Sequence, residues 1–270
     1  RRADLCGGSL GPAVCFAATA WRHARHFSCC FLQVRLVLTP SLDISRIRAI
    51  SIDLDDTLWP IWPTIRRAEA VLLDWLTHNA PATAALFSDT QALRAIRHQM
   101  VSLRPDLVHD LSALRRESIR LALTRAGDDP ALAEPAFDLF FAERMRVELF
   151  DDAHDALAFL SSRYPVVALS NGNADVHRIG IGHYFRHSIS AADFGVAKPD
   201  ARIFHAAASA ANVQPLEVLH VGDDATLDAQ GALNAGLQAV WINSANDPWP
   251  HAAPPHAMVG NLTALCQLLA

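Results

Sequence analysis

Short apolar runs typical of buried strands alternate with helical patterns over much of the chain. Residues 48–54 (RAISIDL) form a β-rich run that ends abruptly in acidic residues, which predicts a buried strand. Similar runs lie at 166–169, 218–221 and 238–242, and helical patterns lie at 153–162, 201–211 and 227–235, the last ending at Gly236. Strands that alternate with helices predict an α/β fold with a doubly wound parallel sheet.

Residues 59–150 follow a different pattern, because apolar residues recur at helical spacing without any strand-like run. Gly127 stands where a helix C-cap would be. We therefore expect an all-α cap domain at 59–150, inserted into a core domain formed by 47–58 and 151–270. The predicted helical stripes are Ile65, Ala68, Leu72 and Trp75–Leu76; Leu93, Ile96 and Met100, after a possible cap at Asp89 or Thr90; Leu111, Leu114, Ile119 and Leu121–Ala122; and Phe137, Phe140–Phe141 and Met145.

Residues 1–46 show no sustained period and match neither pattern. They hold four of the five cysteines, and the first Met of the sequence is Met100. An apolar stretch at 11–21 suggests a signal peptide, but it lacks a basic start and a clean cleavage site. We expect residues 1–46 to be a disordered or non-native extension. Because Cys266 alone falls in the remainder, we expect a reduced, cytoplasmic protein.

Composition narrows the class of protein. A chain of 270 residues can bury one core and a smaller accessory domain, and 51% hydrophobic with 19% charged residues is typical of a globular protein. The net charge of -5 argues against non-specific binding of nucleic acid. No apolar run approaches the roughly 18 residues of a membrane span, so we expect no membrane partner.

Four polar clusters follow predicted strands or lie in the loops after them. Any one of them alone is typical of an acidic turn or a helix start. Ligands of open α/β sheets bind beyond the carboxyl ends of the strands, so the four together predict one catalytic site. The clusters are Asp53-Leu54-Asp55-Asp56-Thr57, Ser170-Asn171-Gly172-Asn173, Lys198-Pro199-Asp200 and Gly222-Asp223-Asp224 with Asp228.

The acidic residues predict a divalent cation. Asp53 and Asp55 are two residues apart, so at a strand end their side chains face one pocket and repel each other. Asp223 adds a third negative charge, a phosphate substrate adds more, and the single Lys198 cannot balance them. Oxygen ligands without a nearby His or Cys favour Mg²⁺ over zinc. We expect Asp53, Asp223 and the backbone carbonyl of Asp55 to bind it.

These residue types suggest a two-step displacement at phosphorus. In this hypothesis Asp53 is the nucleophile that forms an aspartyl-phosphate. Asp55 protonates the leaving alcohol and then activates water. Lys198 supplies a positive charge to the phosphate and the nucleophile.

The remaining polar residues are expected to hold the phosphate or support the site. The Ser170 hydroxyl and backbone N–H groups, at Leu54 and Asn171, would bind the phosphoryl oxygens together with Lys198. Asp228 would orient Lys198 or water molecules rather than bind metal directly. Thr57 and Asp224 are expected to support the site from outside.

The motif set resembles the haloacid dehalogenase superfamily over residues 48 to about 245. The matching motifs are DxDxT at Asp53, Asp55 and Thr57, then Ser170, Lys198, and GDD with a later Asp228. This resemblance implies a Rossmann-like core with a type 1 cap and a Mg²⁺-dependent phosphatase of a small phosphorylated metabolite. The segments LSNGNADV, KPDARIFHAAA and LHVGDDATLDAQGALNAGLQAVWIN are similar to bacterial phosphatases of FMN and of 5-amino-6-(5-phospho-D-ribitylamino)uracil, in riboflavin biosynthesis.

Other functions stay open at this point. The superfamily's dehalogenases lack the second Asp, so Asp55 favours phosphoryl transfer. A sugar-phosphate mutase keeps that Asp and remains an alternative, as does a phosphatase of sugar or nucleoside phosphates. A phospho-accepting receiver would need only one small domain, and a non-catalytic binding protein would not need every motif residue. Trp59 and Trp62 are expected to pack at the hinge or to stack on a flat substrate ring.

Overall fold

The computed structural model describes residues 41–86 and 90–270, and a parallel sheet forms its core. The strand order is β3-β2-β1-β4-β5-β6, and every neighbouring pair is parallel. The predicted α/β fold class is therefore confirmed. The strands are β1 (Ala49–Ile52), β2 (Val166–Ser170), β3 (His187–Ser190), β4 (Val218–Gly222), β5 (Gln238–Ile242) and β6 (Ala257–Val259).

An all-α cap follows β1 in the chain, as predicted. The buried faces of its first and last helices pack around Ala68, Leu72 and Phe140. Asp110 caps the N-terminus of the fourth helix, and Gly127 ends that helix with a φ of 84°, in agreement with the predicted C-cap. The cap helices are α1 (Ile61–Asn79), α2 (Pro81–Leu86), α3 (Thr90–Leu103), α4 (Leu111–Ala126) and α5 (Ala133–Arg144).

The cap differs from the sequence prediction at two places. The short helix α2 was not predicted, because six residues are too few to show an amphipathic repeat. Met145, which was placed on the last stripe, lies beyond the end of α5. Its sulfur instead accepts a hydrogen bond from the N–H of Asp175 (3.3 Å), which links the end of the cap to the core.

Helices cover both faces of the sheet, because successive side chains of a strand point to opposite sides. Ile50 and Ile52 pack with one set of helices, and Ala49 packs with the other. The first face is covered by α6 (Ala153–Ser161) and α11 (Leu262–Leu268), with the short α7 (Val176–Ile179) nearby. The short α8 (Ala191–Phe194) follows β3 in the chain. The second face is covered by α9 (Ala201–Ala211) and α10 (Gly231–Asn234).

The helix predicted at 227–235 is divided in two. Residues Ala225–Gln230 form a π-helix, and Gly231 starts α10. A Cβ on Gly231 would lie about 3 Å from Phe204 and Pro199, so the glycine permits this close approach.

The described part of the expected N-terminal extension contacts the core. Leu42 packs against the core cluster, and the N–H of Asp43 donates to Oε1 of Gln238 (2.7 Å). Residues 1–40 and Asp89 lie outside the described residues, so what was predicted for them stays a prediction. No helix in the described ranges has the length and apolarity that a membrane crossing needs.

The two connections between core and cap lie side by side. The N–H of Phe150 donates to the carbonyl of Leu58 (2.9 Å). Leu58 and its neighbour Trp59 are fully buried. The chain therefore leaves the core and returns to it at one point.

Candidate active site

The predicted site residues meet at the carboxyl-terminal edge of the sheet. Asp53 directly follows β1, and its N–H donates to the carbonyl of Val221 in β4 (2.9 Å). A cavity of about 270 Å³ opens at this edge, and all four sequence clusters contribute to its wall. The lining includes Asp53, Asp55, Asp56, Ser170, Asn171, Gly172, Lys198, Asp223, Asp224 and Asp228. Parallel strands thus bring distant parts of the chain to one pocket.

Lys198 bridges the predicted nucleophile and Asp228. Its Nζ donates to Oδ1 of Asp53 and to Oδ1 of Asp228, both at 2.5 Å, and all three residues are buried. Burial by itself favours a neutral lysine, but the carboxylates of Asp228 and Asp53 outweigh it and raise the pKa of Lys198. The site therefore contains a fixed ammonium charge beside Asp53.

The two carboxyl groups on Lys198 differ. Burial and the neighbouring charges of Asp228 and Asp223 raise the pKa of Asp53, although Lys198 acts in the opposite direction. Burial would raise the pKa of Asp228 as well, but Lys198 and a hydrogen bond from His220 hold it well below its ordinary value. Asp228 is therefore the constant anionic partner of Lys198.

Asn171 fixes the backbone that carries Lys198. Its Oδ1 accepts from the N–H of Lys198 (2.7 Å), and its Nδ2 donates to the carbonyl of the same residue (2.9 Å). The amide side chain is thus occupied by the loop, so the predicted contact of Asn171 with phosphate would use its backbone N–H. The side chain of Leu54 is buried, so the predicted contact of Leu54 with phosphate would also use its backbone N–H.

Ser170 ends β2 beside Asp55. Its Oγ accepts from the N–H of Gly172 (2.9 Å), which orients the hydroxyl at the edge of the cavity. A Cβ on Gly172 would collide with Oδ2 of Asp55. Only glycine therefore lets this loop approach the predicted acid/base residue so closely.

Asp55 is held by a cap residue that sequence reasoning did not select. Nη2 of Arg144 donates to Oδ1 (2.5 Å) and to Oδ2 (2.8 Å) of Asp55. The indole N–H of Trp59 donates to Oδ1 as well (2.8 Å). Trp59 is fully buried, so it packs at the hinge and presents no face for stacking on a substrate. The position of Asp55 therefore depends on the last residue of α5.

Three carboxyl groups converge as a candidate metal site. One side-chain oxygen each from Asp53, Asp223 and Asp228 lies within 4.8 Å of the others. The Thr57 hydroxyl donates to Oδ1 of Asp223 (3.1 Å), and burial together with Asp228 raises the pKa of Asp223 to about 7. A set of carboxylate oxygens this close fits a hard divalent cation, which would offset their repulsion.

The oxygens of Asp228 already have protein partners. Oδ1 accepts from Lys198 and from Nε2 of His220 (3.2 Å), and Oδ2 accepts from the N–H of Asp224 (3.1 Å). The Asp224 side chain in turn caps the π-helix on which Asp228 lies, by accepting from two backbone N–H groups. This geometry favours an orienting role for Asp228 over direct metal binding.

A buried serine–histidine pair behind the site was not predicted. Since a carboxylate only accepts, His220 Nε2 carries the proton in its bond to Asp228, and Nδ1 accepts from the hydroxyl of Ser51 (2.8 Å). Burial lowers the pKa of His220, although Asp228 opposes this. The sequence signal that could have identified this pair was one polar residue inside each of two otherwise apolar strands, Ser51 in β1 and His220 in β4.

The fold is that of a known class of enzymes. The family model described as haloacid dehalogenase-like hydrolase matches residues 47–236. The chain belongs to this family and is a hydrolase, which confirms the resemblance found in the sequence.

Curated relatives include two bacterial phosphatases. The chain is 34% identical over 234 residues to the Escherichia coli 5-amino-6-(5-phospho-D-ribitylamino)uracil phosphatase YigB. The alignment covers 84% of this chain and 98% of that protein. It is 36% identical over 154 residues to the phosphoserine phosphatase of Thermus thermophilus, over 55% of this chain and 62% of the relative.

A solved structure with the same fold bears a different enzyme name. The crystal structure of a 2-haloacid dehalogenase from Pseudomonas syringae pv. Tomato superposes with a TM-score of 0.77 and 36% identity, covering 83% of this chain and 98% of that one. The proteins similar to this chain thus include both phosphatases and a dehalogenase. The site residues therefore have to decide which of the two reactions is assigned to this chain.

Proposed function

We propose that this hydrolase is a Mg²⁺-dependent phosphatase of a small phosphorylated metabolite. The observation that carries the proposal is the pairing of buried Asp53, in contact with Lys198, with a second carboxyl group at Asp55 beside it. Hydrolysis of a carbon–halogen bond does not require an acid for an oxygen leaving group, whereas a phosphate ester does. Asp55 therefore favours the phosphatase over the dehalogenase.

The reaction would proceed in two displacements. An oxygen of Asp53 attacks phosphorus, the ester P–O bond breaks, and Asp55 gives its proton to the departing alcohol. Asp55 then takes a proton from water, whose oxygen attacks the same phosphorus. Cleavage of the aspartyl-phosphate P–O bond releases inorganic phosphate and restores Asp53. Arg144 and Trp59 keep the Asp55 carboxyl group in position throughout.

The polar residues of the cavity would bind the phosphoryl group. Ser170 Oγ and the backbone N–H groups of Leu54 and Asn171 would donate to its oxygens, and Lys198 would contribute positive charge. Asp53, Asp223 and the Asp55 carbonyl would hold Mg²⁺, which supplies further charge neutralisation on the phosphoryl oxygens. Thr57, Asp224 and Asp228 support these residues through the hydrogen bonds described above.

We propose 5-amino-6-(5-phospho-D-ribitylamino)uracil as the substrate on the ground of the E. coli relative, or FMN on the ground of the sequence segments similar to bacterial FMN phosphatases. A role in riboflavin biosynthesis and a cytoplasmic location belong to this proposal, and no nucleic-acid partner is expected. The second candidate is a phosphatase of another phosphate class, since relatives include a phosphoserine phosphatase and a pyrimidine 5'-nucleotidase from E. coli.

The proposal is tested with p-nitrophenyl phosphate, with and without Mg²⁺ and EDTA. We expect Mg²⁺-dependent release of phosphate by the wild type and loss of at least about 1,000-fold in the Asp53→Asn variant, because the nucleophile is removed. Chloride release from 2-chloropropionate, without any phosphatase activity, would show a dehalogenase instead. A metabolite panel then ranks the two flavin-related esters against hexose and nucleoside monophosphates by kcat/KM.

A further inference from the structure

A second cavity, of about 250 Å³, lies between the cap and the Asp55 side of the active site. Asp55, Gly172, Ile61 and Leu111 line both this cavity and the one that contains Asp53. A phosphate ester bound at Asp53 would therefore have space for its leaving group under the cap. We refer to this second space as the cap cavity.

Three arginines from the cap line the cap cavity. Arg97 comes from α3, Arg115 from α4 and Arg144 from the end of α5. Arg144 is bound to Asp55 through Nη2, while its buried Nη1 has no hydrogen-bond partner among the described residues. The guanidinium group of Arg115 lies 3.8 Å above the ring of Phe140, which fixes its plane at the wall of the cavity.

The arginines exceed the acidic groups around them. Glu69 is buried and forms a hydrogen-bonded pair with Arg94 (2.8 Å). It lies 3.9 Å from Arg97 and 3.7 Å from Arg115, which is longer than a hydrogen bond. Arg94, Arg97 and Arg115 therefore share the single carboxylate of Glu69. These four residues together carry a surplus of two positive charges. Within the described residues, these long contacts leave N–H groups of Arg97 and Arg115 available to a further acceptor.

Burial makes this surplus costly. Loss of solvent, and then the neighbouring charge of Arg97, lower the pKa of Arg115 to about 9. Burial also lowers the pKa of Arg97. An electronegative group placed between the two would relieve this cost, since it would replace the missing solvent and countercharge. Most of the remaining wall is apolar and includes Phe140 and the half-exposed ring of Trp62.

We propose that Arg97 and Arg115 select substrates whose leaving group carries a planar, acceptor-rich group, either a carboxylate or the carbonyls of a pyrimidinedione. The planar guanidinium presents parallel N–H groups that match two acceptors of such a group. The apolar wall would cover the remainder of the leaving group. This inference rests on the proposed phosphatase function and assigns its selectivity to the cap.

The experiment compares paired phosphate esters, one that carries the acceptor-bearing group and one that lacks it. O-phosphoserine against O-phosphoethanolamine tests the carboxylate, and 5-amino-6-(5-phospho-D-ribitylamino)uracil against D-ribitol 5-phosphate tests the pyrimidinedione. The quantity measured is the ratio of kcat/KM within each pair, so that a general change in activity cancels. We expect the wild type to prefer the acceptor-bearing ester in at least one pair.

Arg115→Met and Arg97→Met are each expected to lower that ratio by roughly 10- to 100-fold, the range for losing hydrogen bonds from a charged group. Arg125→Met is the matched control, because the exposed Arg125 joins α4 to α3 through Gln99 but does not line the cap cavity. It should leave the ratio within about twofold. A change confined to one pair identifies the acceptor as carboxylate or pyrimidinedione.

Three results would overturn the inference: no preference by the wild type in either pair, an equal fall of the ratio in Arg125→Met, or equal loss of both members of a pair in both cavity variants. Phenyl phosphate, whose leaving group has neither a carboxylate nor a pyrimidinedione, tests the phosphatase activity independently of the proposed selectivity. If the wild type hydrolyses it and Asp53→Asn does not, the phosphatase stands even when the selectivity does not.

Discussion

At the scale of single residues, the acidic cluster combines a chemical need with a cost in stability. Asp53, Asp223 and Asp228 place three carboxyl groups within 4.8 Å, and Lys198 contacts two of them. Burial and like charge raise the pKa of both Asp53 and Asp223. The fold therefore holds negative charge where the chain alone does not fully stabilise it, as expected for a site that binds a cation.

Asp223 gives a prediction about pH. Its pKa is raised to about 7 in the fold from an ordinary value of 3.8, so the folded state retains a proton that the unfolded chain loses. The stability that this proton contributes is present at low pH and is lost as the pH rises towards 7. Asp223→Asn removes this loss, while its amide oxygen can still accept from Thr57.

In EDTA, Asp223→Asn should therefore raise Tm relative to the wild type more at pH 8 than at pH 5, by at least about 2–4 °C. Thermal unfolding followed by circular dichroism across that range measures it. Asp74→Asn, on the exposed face of α1, is the control and should give a pH-independent difference. The same flat difference in Asp223→Asn would contradict the raised pKa.

At the scale of elements, the cap reaches the proposed acid/base residue Asp55 through the end of one helix. α5 ends at Arg144, whose guanidinium binds both oxygens of Asp55 although 89 residues separate the two in the chain. Helical periodicity identified the apolar face of α5 but not this contact, because a residue just at a helix end carries no periodic signal. The role of Arg144 emerges only from packing between cap and core.

Removing Arg144 should lower turnover. Arg144→Met deprives Asp55 of two hydrogen bonds, so we expect kcat for p-nitrophenyl phosphate to fall roughly 10- to 100-fold. Arg144→Lys keeps the charge but loses the two-pronged geometry, and should be intermediate. Arg146→Met is the matched control, since its side chain is 77% exposed and pairs with Glu143 instead. A kcat for Arg144→Met equal to that of the Arg146→Met control would refute the role.

The sequence predicted the interior strands and missed those at the edges. β1, β2, β4 and β5 are fully buried and appear as mainly apolar runs. The edge strands β3 (HSIS) and β6 (AMV) are short and partly exposed, so they carry no such run. Likewise the motif residues were found because they follow buried strands, whereas Ser51 and His220 are hidden inside them.

At the scale of the whole molecule, the site joins separate parts of the chain. Its proposed metal ligands follow β1 and β4, its lysine lies on a loop held by Asn171, and Asp55 is bound by the cap. A ligand bound there requires all of these parts to be folded at once. Binding should therefore stabilise the molecule against global unfolding.

Mg²⁺ is expected to raise Tm at pH 8. A concentration of 100 times Kd contributes about 2.7 kcal/mol, which corresponds to roughly 5–10 °C for a domain of this size. Asp223→Asn should lose most of this increase, because a carboxylate ligand is replaced by a neutral amide. Sodium chloride at matched ionic strength is the control for screening. An undiminished rise in the variant would exclude Asp223 as a ligand.

The hydrogen bond between Phe150 and Leu58 has a consequence for how such an enzyme can evolve. Because the chain enters and leaves the cap at adjacent residues, a different insert could replace the helices between them without altering the path of the core. A replacement cap would also have to supply a residue in place of Arg144, because Arg144 holds the Asp55 carboxyl group. A grafted cap would change which ester is accepted while Asp53 and Lys198 retain their geometry.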